Sequence, residues 1–237
     1  MKWSYTTDTG LVRSLNEDSL CLSPETGFFA VADGMGGHKA GEVASRTALQ
    51  IIKRELDRRL GLGVKPADAL VEAIKEANRT IYEMAAQNAD WAGMGTTITA
   101  CLKNKNHVLI GQVGDSRAYL LRGSEIARLT EDHSLVQQMV KNGGITEEQA
   151  FKHPQRNVLT RALGTATSLE VDLYKVKVKP REMLLICTDG LTGYLRQEEL
   201  SEIITTAPDL DTAVDRLLKK AIQSGGADNI TIILVEF

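Results

Sequence analysis

Two long amphipathic stretches follow one another directly, with no strand-like segment between them. In residues 40–60 apolar side chains recur at helical spacing, and a second such stripe runs through residues 66–87. A third helical pattern lies at about residues 209–223. Grouped helices disfavour a doubly wound parallel sheet, in which helices and strands alternate. The pattern therefore predicts antiparallel sheets covered by helices.

Short apolar or alternating segments fill much of the remaining chain and predict strands. They cover residues 27–32, 96–102, 107–113, 117–122, 171–179, 183–187 and 230–237. The short polar connection at residues 103–106 is typical of a hairpin and favours antiparallel pairing. Within residues 171–179 the alternation shifts by one position, which predicts a bulge.

Composition narrows the class of protein. The chain has 237 residues and a formal charge of −3, with 43% hydrophobic and 25% charged residues, as in an ordinary soluble globular protein. The negative charge and the 5% of aromatic residues disfavour a nucleic-acid surface, which needs basic and stacking side chains. Because no linker, repeat or proline-rich hinge divides the chain, we expect one domain over residues 1–237.

The sequence shows no sign of a membrane or secretory destination. No apolar window is long enough for a membrane span, and the first residues lack the apolar region of a signal peptide. Cys21, Cys101 and Cys187 are far apart, and the last two lie in apolar runs, which indicates reduced thiols. We therefore expect a cytoplasmic protein without membrane or nucleic-acid partners.

Aspartates stand where apolar runs begin or end. Asp33, Asp115 and Asp189 each close such a run, Asp228 precedes the last one, and Asp18 precedes another. If these strand ends lay at one rim of a sandwich, the carboxylates would repel one another and would require cations, protons or basic partners. Mg²⁺ and Mn²⁺ suit such oxygen ligands, and no His/Cys cluster indicates zinc.

Spacing alone leaves two interpretations open. A single Asp-Gly pair is more often a turn, whereas several pairs that each close an apolar run are typical of a metal-dependent hydrolase. Whether the strand ends meet in space is left open by these patterns.

Short motifs follow one another through nearly the whole chain. They are RSLNED (13–18), VADGMGGH (31–38), MGTT (94–97), GDSR (114–117), TEDHS (130–134), NVLTRALG (157–164), TDGL (188–191) and DN (228–229). Each is weak alone, but the ordered set resembles the metal-dependent protein phosphatases, the protein phosphatase 2C-like family, in its compact bacterial form. The resemblance implies an α+β fold: a four-layer α-β-β-α sandwich of two antiparallel sheets flanked by helix pairs, with a small flap at about residues 134–160.

The resemblance also implies a metal centre of two Mn²⁺ or Mg²⁺ ions, with a third, weaker ion in bacterial members. Asp33 is expected to bridge the first two ions, and Asp115 with Asp189 is expected to hold the third. Glu17 and Asp18 are expected to act largely through bound waters. The implied metal ligands are Asp18, Asp33, Gly34, Asp115, Asp189 and Asp228, supported by Glu17 and Asn229.

The activity implied by the resemblance is hydrolysis of phosphoserine and phosphothreonine in proteins. A water shared by the two ions attacks phosphorus in line, and Arg13 binds the non-reacting oxygens with its planar guanidinium group. Eukaryotic relatives place a histidine directly after the Asp-Gly pair, where this chain has Met35. The proton donor to the leaving alkoxide therefore stays open between His38 and a metal-bound water.

Two further reactive side chains fall near these motifs. We expect His133 to be structural, and we expect Cys187 to be buried in its strand rather than to act as a nucleophile.

The implied partners are phosphorylated proteins and a cognate Ser/Thr protein kinase, with a monomer as the default state. Two other functions stay open. One is another two-metal phosphoesterase or nuclease, which the acidic charge balance disfavours. The other is a phosphatase-like module that binds phosphopeptides without catalysis, which the complete set of carboxylates disfavours.

Overall fold

The computed structural model describes residues 1–37 and 40–237. Its strands are β1 (Lys2–Asp8), β2 (Asp18–Ser23), β3 (Phe28–Met35), β4 (Gly95–Thr96), β5 (Ile98–Asn104), β6 (His107–Val113), β7 (Arg117–Arg122), β8 (Glu125–Arg128), β9 (Asp172–Lys177), β10 (Met183–Cys187) and β11 (Ile230–Glu236). Its helices are α1 (Ala40–Gly61), α2 (Pro66–Gln87), α3 (Leu135–Lys141), α4 (Glu147–Phe151), α5 (Asp189–Thr192), α6 (Gln197–Thr206) and α7 (Leu210–Gln223). No helix in this described part of the chain has the length and hydropathy to cross a bilayer.

The strands form two antiparallel sheets. Sheet I has the order β1-β11-β10-β7-β8, and sheet II has the order β2-β3-β5-β6-β9, with β4 paired to β3. In sheet I the first and last strands of the chain are neighbours, since β1 pairs along its whole length with β11. The β6–β7 connection carries the chain from sheet II to sheet I. Antiparallel pairing, predicted from the hairpin spacing and the grouped helices, is confirmed.

Three apolar layers join the sheets and the helices. The layer between the two sheets includes Val31, Ile110 and Ile186. A second layer packs α1 and α2 on sheet II, and a third packs α6 and α7 on sheet I. The order of layers is therefore helices, sheet, sheet, helices. The predicted α+β four-layer sandwich is confirmed.

Central strands are buried on both faces, which explains their continuous apolar runs. In β3, Phe28 and Ala30 pack beneath α1 and α2, whereas Phe29 and Val31 face sheet I. Because successive side chains point to opposite faces, neither face of such a strand can carry a charge at low cost. A carboxylate is tolerated only where the strand leaves the core, and Asp33 lies at that point.

The cysteine thiols are free, as predicted. Cys101 and Cys187 are buried, and burial raises the pKa of both thiols, that of Cys187 to about 12. Because a thiol is nucleophilic only as the thiolate, the Cys187 side chain is a core residue rather than a nucleophile.

The sequence patterns miss β1, β2, β8, α5 and α6. β1 and β8 are the two edges of sheet I, and their outward residues are exposed, so the apolar signal is weak. α6 begins at Gln197, and its N-cap is Arg196, which is not one of the usual N-terminal capping residues. Edge position and tertiary packing, rather than local pattern, place these elements.

The prediction of a bulge in residues 171–179 is wrong. β9 pairs with β6 without interruption from one end to the other. The apparent shift arises because Leu173 is an apolar residue on the outward face, where it is 41% exposed. A single exposed leucine is common on protein surfaces and does not change the pairing.

The segment at residues 134–160, which carries α3 and α4, leaves and rejoins the sandwich at one place. The Leu135 N–H donates to the Val158 carbonyl and the Thr160 N–H to the His133 carbonyl, both at 2.8 Å. The His133 N–H in turn donates to the Gly114 carbonyl at 2.9 Å. These bonds fix both ends of the segment beside the β6–β7 connection, where Asp115 lies.

Candidate metal centre

The aspartates at the strand ends come together at one rim of the sandwich. In the β2–β3 pair, Asp18 lies directly opposite Asp33. The pKa of Asp33 is raised well above its usual range, first by burial and then by the negative charges of Asp18, Asp189, Asp115 and Asp228. Charges raise a pKa in this way only at short range. The fold therefore gathers five carboxylates that are far apart in the chain.

Both sheets contribute to this cluster. β10 and β11 are antiparallel neighbours in sheet I, so Asp189, two positions past the last residue of β10, and Asp228, two positions before the first residue of β11, lie at the same end of the pair. Asp18 and Asp33 come from sheet II, and Asp115 from the connection between the sheets. The cluster therefore lies at the rim where strand ends of both sheets meet.

Asp18 is the most enclosed of the predicted ligands. It is buried, and its Oδ2 accepts a hydrogen bond of 2.8 Å from Thr188 Oγ1, while its Oδ1 has no partner. Burial raises its pKa to about 7, assisted by the charges of Asp189 and Asp228 and opposed by hydrogen bonds from Thr231 and Thr188. The ionised carboxylate is therefore costly at this position unless a cation compensates it.

Unpartnered oxygens show that the residues present fit a metal centre. Glu17 Oε1, Asp18 Oδ1 and Asp189 Oδ1 are buried without a hydrogen-bond partner. Nearly all buried polar atoms in proteins are hydrogen-bonded, and burial is also the first cause of the raised pKa of each of these carboxyls. Several buried anionic oxygens with free lone pairs are the donor set that Mg²⁺ and Mn²⁺ bind.

The carboxylates surround a shared region rather than one point. Within residues 1–37 and 40–237, no three His, Cys, Asp or Glu side chains converge closely enough to act together as ready-made ligands. Mutual repulsion disfavours closer approach of the carboxylates in the absence of cations, and Asp228 is also paired with Arg13.

Arg13 lies beside the cluster and is paired with one of its members. Its Nη2 donates to Asp228 Oδ2 at 3.0 Å, and its Nε lies 3.0 Å from Asp228 Oδ1. This contact is the main cause of the raised pKa of the guanidinium group. The side chain is nevertheless 50% exposed, and a guanidinium group has five N–H donors, so donors remain for a further anion.

Asn229 ties the loop that carries Arg13 to the strand end. Its Oδ1 accepts from the Glu17 N–H at 2.8 Å, and its Nδ2 donates to the carbonyls of Thr9 and Leu15, both at 2.9 Å. Since both amide N–H groups and the oxygen are engaged, Asn229 supports the site by holding residues 9–17 in place.

Gly34 allows close contact between three segments of the site. A methyl group at this position would overlap the Gly41 carbonyl and would lie 2.6 Å from the Glu17 carbonyl oxygen. The absence of a side chain therefore lets the end of β3 pack against both the start of α1 and the Glu17 backbone.

A cleft of about 300 Å³ opens onto the cluster. Arg13, Asp115, Asp189 and Asp228 line it, and the segment at residues 134–160 contributes Val136, Ala150, Phe151 and Arg156 to its wall. The Arg196 guanidinium group lies 5.2 Å from the centre of the Phe151 ring, which helps to hold this wall against the sandwich.

Three of the charged residues that line the cleft, Arg117, Arg128 and Asp132, form ion pairs that the sequence patterns do not predict. Arg117 Nη2 donates to Asp132 Oδ2 at 2.6 Å, and Arg128 Nη2 lies 2.5 Å from Asp132 Oδ1. The pKa of Asp115 is raised by burial and by the charges of Asp189 and Asp132, and it is lowered by Arg117. Arg117 and Asp132 lie within recognised motifs, but only the fold shows their pairing.

Of the two histidines in the motifs, the structure describes only His133. His133 is buried, its Nδ1 accepts from the Gly114 N–H at 3.1 Å, and its Nε2 lies 3.2 Å from Asp172 Oδ2. Burial lowers the pKa of its imidazole, against the opposing effect of Asp172, and these contacts hold the ring in place; its structural role stays a prediction. His38 lies outside the described residues, and its role as proton donor stays a prediction.

Comparison with known proteins identifies the family. The family model for protein phosphatase 2C matches residues 13–229. The serine/threonine phosphatase stp of Listeria welshimeri is 39% identical over 241 residues, covering 100% of this chain and 96% of that protein. The crystal structure of the Mycobacterium tuberculosis serine/threonine phosphatase PstP/Ppp has a TM-score of 0.90 at 34% identity, covering 100% of this chain and 98% of that one.

A second solved structure bears on the metal content. The catalytic domain of the phosphatase PstP in complex with two manganese ions has a TM-score of 0.87 at 33% identity, covering 99% of this chain and 97% of that one. From the matched motifs, the fold and these relatives, the chain belongs to the protein phosphatase 2C family of metal-dependent protein phosphatases.

Proposed function

We propose that this chain is a protein-serine/threonine phosphatase that hydrolyses phosphoserine and phosphothreonine monoesters in proteins with two Mn²⁺ or Mg²⁺ ions. The observation that carries the proposal is the cluster of carboxylates at one rim of the sandwich, with buried unpartnered oxygens on Glu17, Asp18 and Asp189, next to a cleft that Arg13 and Asp189 line. Family membership and relatives named as serine/threonine phosphatases support it. We take residues 1–237 as one catalytic domain with a flap at about residues 134–160.

The ligand set follows from the resemblance and from the cluster. When bound, the ions would neutralise the carboxylates and the phosphate and would acidify a water for attack on phosphorus. The two manganese ions of the PstP structure support a centre of two ions in this chain. The residues that would hold the ions are Asp33 with the Gly34 carbonyl, Asp189 and Asp228, assisted by Glu17 and Asp18, with Asp115 and Asp189 for a weaker third ion.

Arg13 would bind the phosphoryl group of the substrate. Its contact with Asp228 holds the guanidinium group beside the cleft. A pre-ordered cation loses little freedom on binding, so the phosphate oxygens would be held with phosphorus facing the carboxylate cluster. In-line displacement then leaves an alkoxide on the serine or threonine, to be protonated by His38 or by water.

Replacing Arg13 tests its assigned role. If Arg13 binds the phosphate equally in the ground and transition states, Arg13→Ala is expected to raise KM for a phosphothreonine peptide on the order of tenfold or more, with kcat largely kept. Arg13→Lys keeps the charge but loses the planar fork, and should recover only part of the affinity. Steady-state kinetics on the peptide measure KM and kcat for each variant. A fall in kcat at unchanged KM would contradict binding in the ground state.

Metal removal tests the proposed function itself. Protein treated with EDTA and then dialysed is expected to be inactive on a phosphothreonine peptide, and added Mn²⁺ is expected to restore phosphate release. A parallel assay uses a phosphodiester and single- and double-stranded DNA, with Mn²⁺ binding followed by calorimetry.

The outcomes separate the three candidate functions. Hydrolysis of the peptide that is insensitive to EDTA would refute the metal mechanism. Preferred cleavage of the diester or of DNA would identify another two-metal phosphoesterase. Binding of Mn²⁺ and of the peptide without turnover would identify a non-catalytic module.

The proposed partners follow from this activity. Phosphorylated proteins are the substrates, and a Ser/Thr protein kinase that modifies the same proteins is the natural counterpart. The formal charge of −3 supports the absence of a nucleic-acid partner. We propose a cytoplasmic monomer without a membrane partner, which size-exclusion chromatography with light scattering would check for oligomeric state.

A further inference from the structure

Apolar side chains protrude from the loop that carries Arg13. Leu11 is 67% exposed and Val12 is 70% exposed, and Leu15, later in the same loop, is 38% exposed. Large apolar side chains held together in water are unfavourable, and such groups typically mark a binding surface. We name Leu11 and Val12 together the apolar rim.

The loop holds the apolar rim in this exposed position. The Leu11 N–H donates to the Gly226 carbonyl at 2.7 Å, and Asn229 bonds the carbonyls of Thr9 and Leu15. Gly10 adopts a positive φ of 76°, a conformation that side chains other than glycine rarely accept. With its backbone anchored on both sides, the loop presents the rim as a pre-formed surface.

The apolar rim is continuous with the wall of the cleft. Leu11 lies against Gly226, where a methyl group would be 3.3 Å from Leu11 Cγ. The next residue, Ala227, lines the cleft, and its N–H donates to the Tyr194 hydroxyl at 2.9 Å. Tyr194 and Arg13 line the same cleft. A chain that leaves the phosphate position on this side would cross the rim.

Chain geometry sets the distance over which the rim can act. Consecutive Cα atoms are about 3.8 Å apart, so the Cα atoms of Leu11 and Arg13 are at most roughly 7.6 Å apart. An extended substrate advances about 3.3 Å per residue. A side chain one to three positions from the phosphorylated residue would therefore meet the rim.

We propose that the apolar rim is a specificity subsite for substrates with a large apolar side chain one to three residues from the phosphoserine or phosphothreonine. The inference rests on the proposed function. A peptide segment is the occupant that the size of the rim favours, because a stable protein interface buries about 800 Å² on each partner, far more than these side chains offer. Contact with an extended segment needs only one or two such side chains.

Two phosphothreonine peptides test the subsite. They are identical except that one has leucine and the other serine at the second position on both sides of the phosphothreonine. Wild-type protein is expected to show a kcat/KM on the order of tenfold higher for the leucine peptide, which corresponds to burial of about one apolar side chain. The Leu11→Ser/Val12→Ser double variant is expected to lose this preference, through a lower kcat/KM for the leucine peptide.

Leu62→Ser is the matched control. Leu62 is 70% exposed, like Val12, but it lies beyond the far end of α1, a helix of 22 residues that begins beside Glu17. At about 1.5 Å per residue, that helix separates Leu62 from the site by roughly 30 Å. The control variant is expected to keep the preference, and thermal melting checks that all variants are folded.

Each remaining outcome is decisive. Equal kcat/KM for the two peptides in the wild type would overturn the subsite, as would a preference that survives in the double variant. An equal loss on both peptides in the double variant would show a structural effect on Arg13 and would also overturn it. If the wild type hydrolyses neither peptide with Mn²⁺, the proposed function itself fails.

Discussion

Asp189→Asn is expected to lower turnover of a phosphothreonine peptide by at least about a thousandfold, or about 4 kcal/mol of transition-state stabilisation. Asp189 begins α5, separated from the end of β10 by one residue, the N-cap Thr188, and Asp189 Oδ1 is buried without a hydrogen-bond partner. Asparagine preserves the shape of the side chain but removes the charge that a divalent cation requires. The expected loss is therefore in metal binding and catalysis rather than in folding.

The same substitution is expected to leave the chelated protein as stable as the wild type or more stable. Burial and the charge of Asp228 raise the pKa of Asp189 above its ordinary value. A raised pKa in the folded state means that the ionised group destabilises the fold above its ordinary pKa of about 4, and that this cost grows with pH until the pH passes the raised pKa. Asparagine carries no such cost, so in EDTA at pH 7 the Tm of the variant should equal or exceed that of the wild type.

Melting curves with and without Mn²⁺, together with turnover, check both expectations. Wild-type protein should gain stability on Mn²⁺ addition, and the variant should gain less, because only binding to the folded state raises Tm. Asp211→Asn is the control, since Asp211 is an exposed residue in the first turn of α7. Unchanged turnover in Asp189→Asn would remove this residue from the centre, and a markedly lower Tm in EDTA would show a structural role instead.

Gly190→Ala is expected to destabilise the fold by about 2–3 kcal/mol and to lower kcat/KM on the order of a hundredfold. A methyl group at Gly190 would overlap the carbonyl oxygen of Asn229 and would lie 2.8 Å from its carbonyl carbon. Both partners are backbone, so neither can rotate away. The start of α5 would have to move away from Asn229, and this movement would separate Asp189 from Asp228.

Gly61→Ala is the matched control for the glycine substitution. Gly61 is the last residue of α1, and a methyl group there would meet no atom within 4 Å. Because alanine favours helix more than glycine does, this variant should be neutral or stabilised by up to about 1 kcal/mol. Urea unfolding and peptide kinetics measure both variants. Equal stability of Gly190→Ala and the wild type would contradict the close packing at the rim.

Local patterns predict the elements whose environment is the same along their whole length. The two long helices at residues 40–60 and 66–87 correspond to Ala40–Gly61 and Pro66–Gln87, because each buries one stripe against a single sheet. The central strands appear as apolar runs because both of their faces are buried. Edge strands β1 and β8 have one exposed side and leave no comparable signal.

The candidate site also has features that local patterns predict and features that they do not. The sequence alone shows carboxylates at the ends of apolar runs, since a charge in a buried strand is tolerated only where the strand leaves the core. It also carries the motifs that indicate the family. These can be read from the sequence because each motif is short and local, and because the motifs follow one another in a fixed order. From them the fold class and the family could be inferred before any contact was known.

Only the tertiary structure decides which of these residues act on one another. The raised pKa of Asp33, caused by burial and by four other aspartates, requires two sheets to place distant strand ends together. The pairing of Arg13 with Asp228 and the exposed rim at Leu11 and Val12 depend on a loop anchored at the opposite end of the chain. Such effects depend on distance in space, and positions along a sequence do not determine that distance.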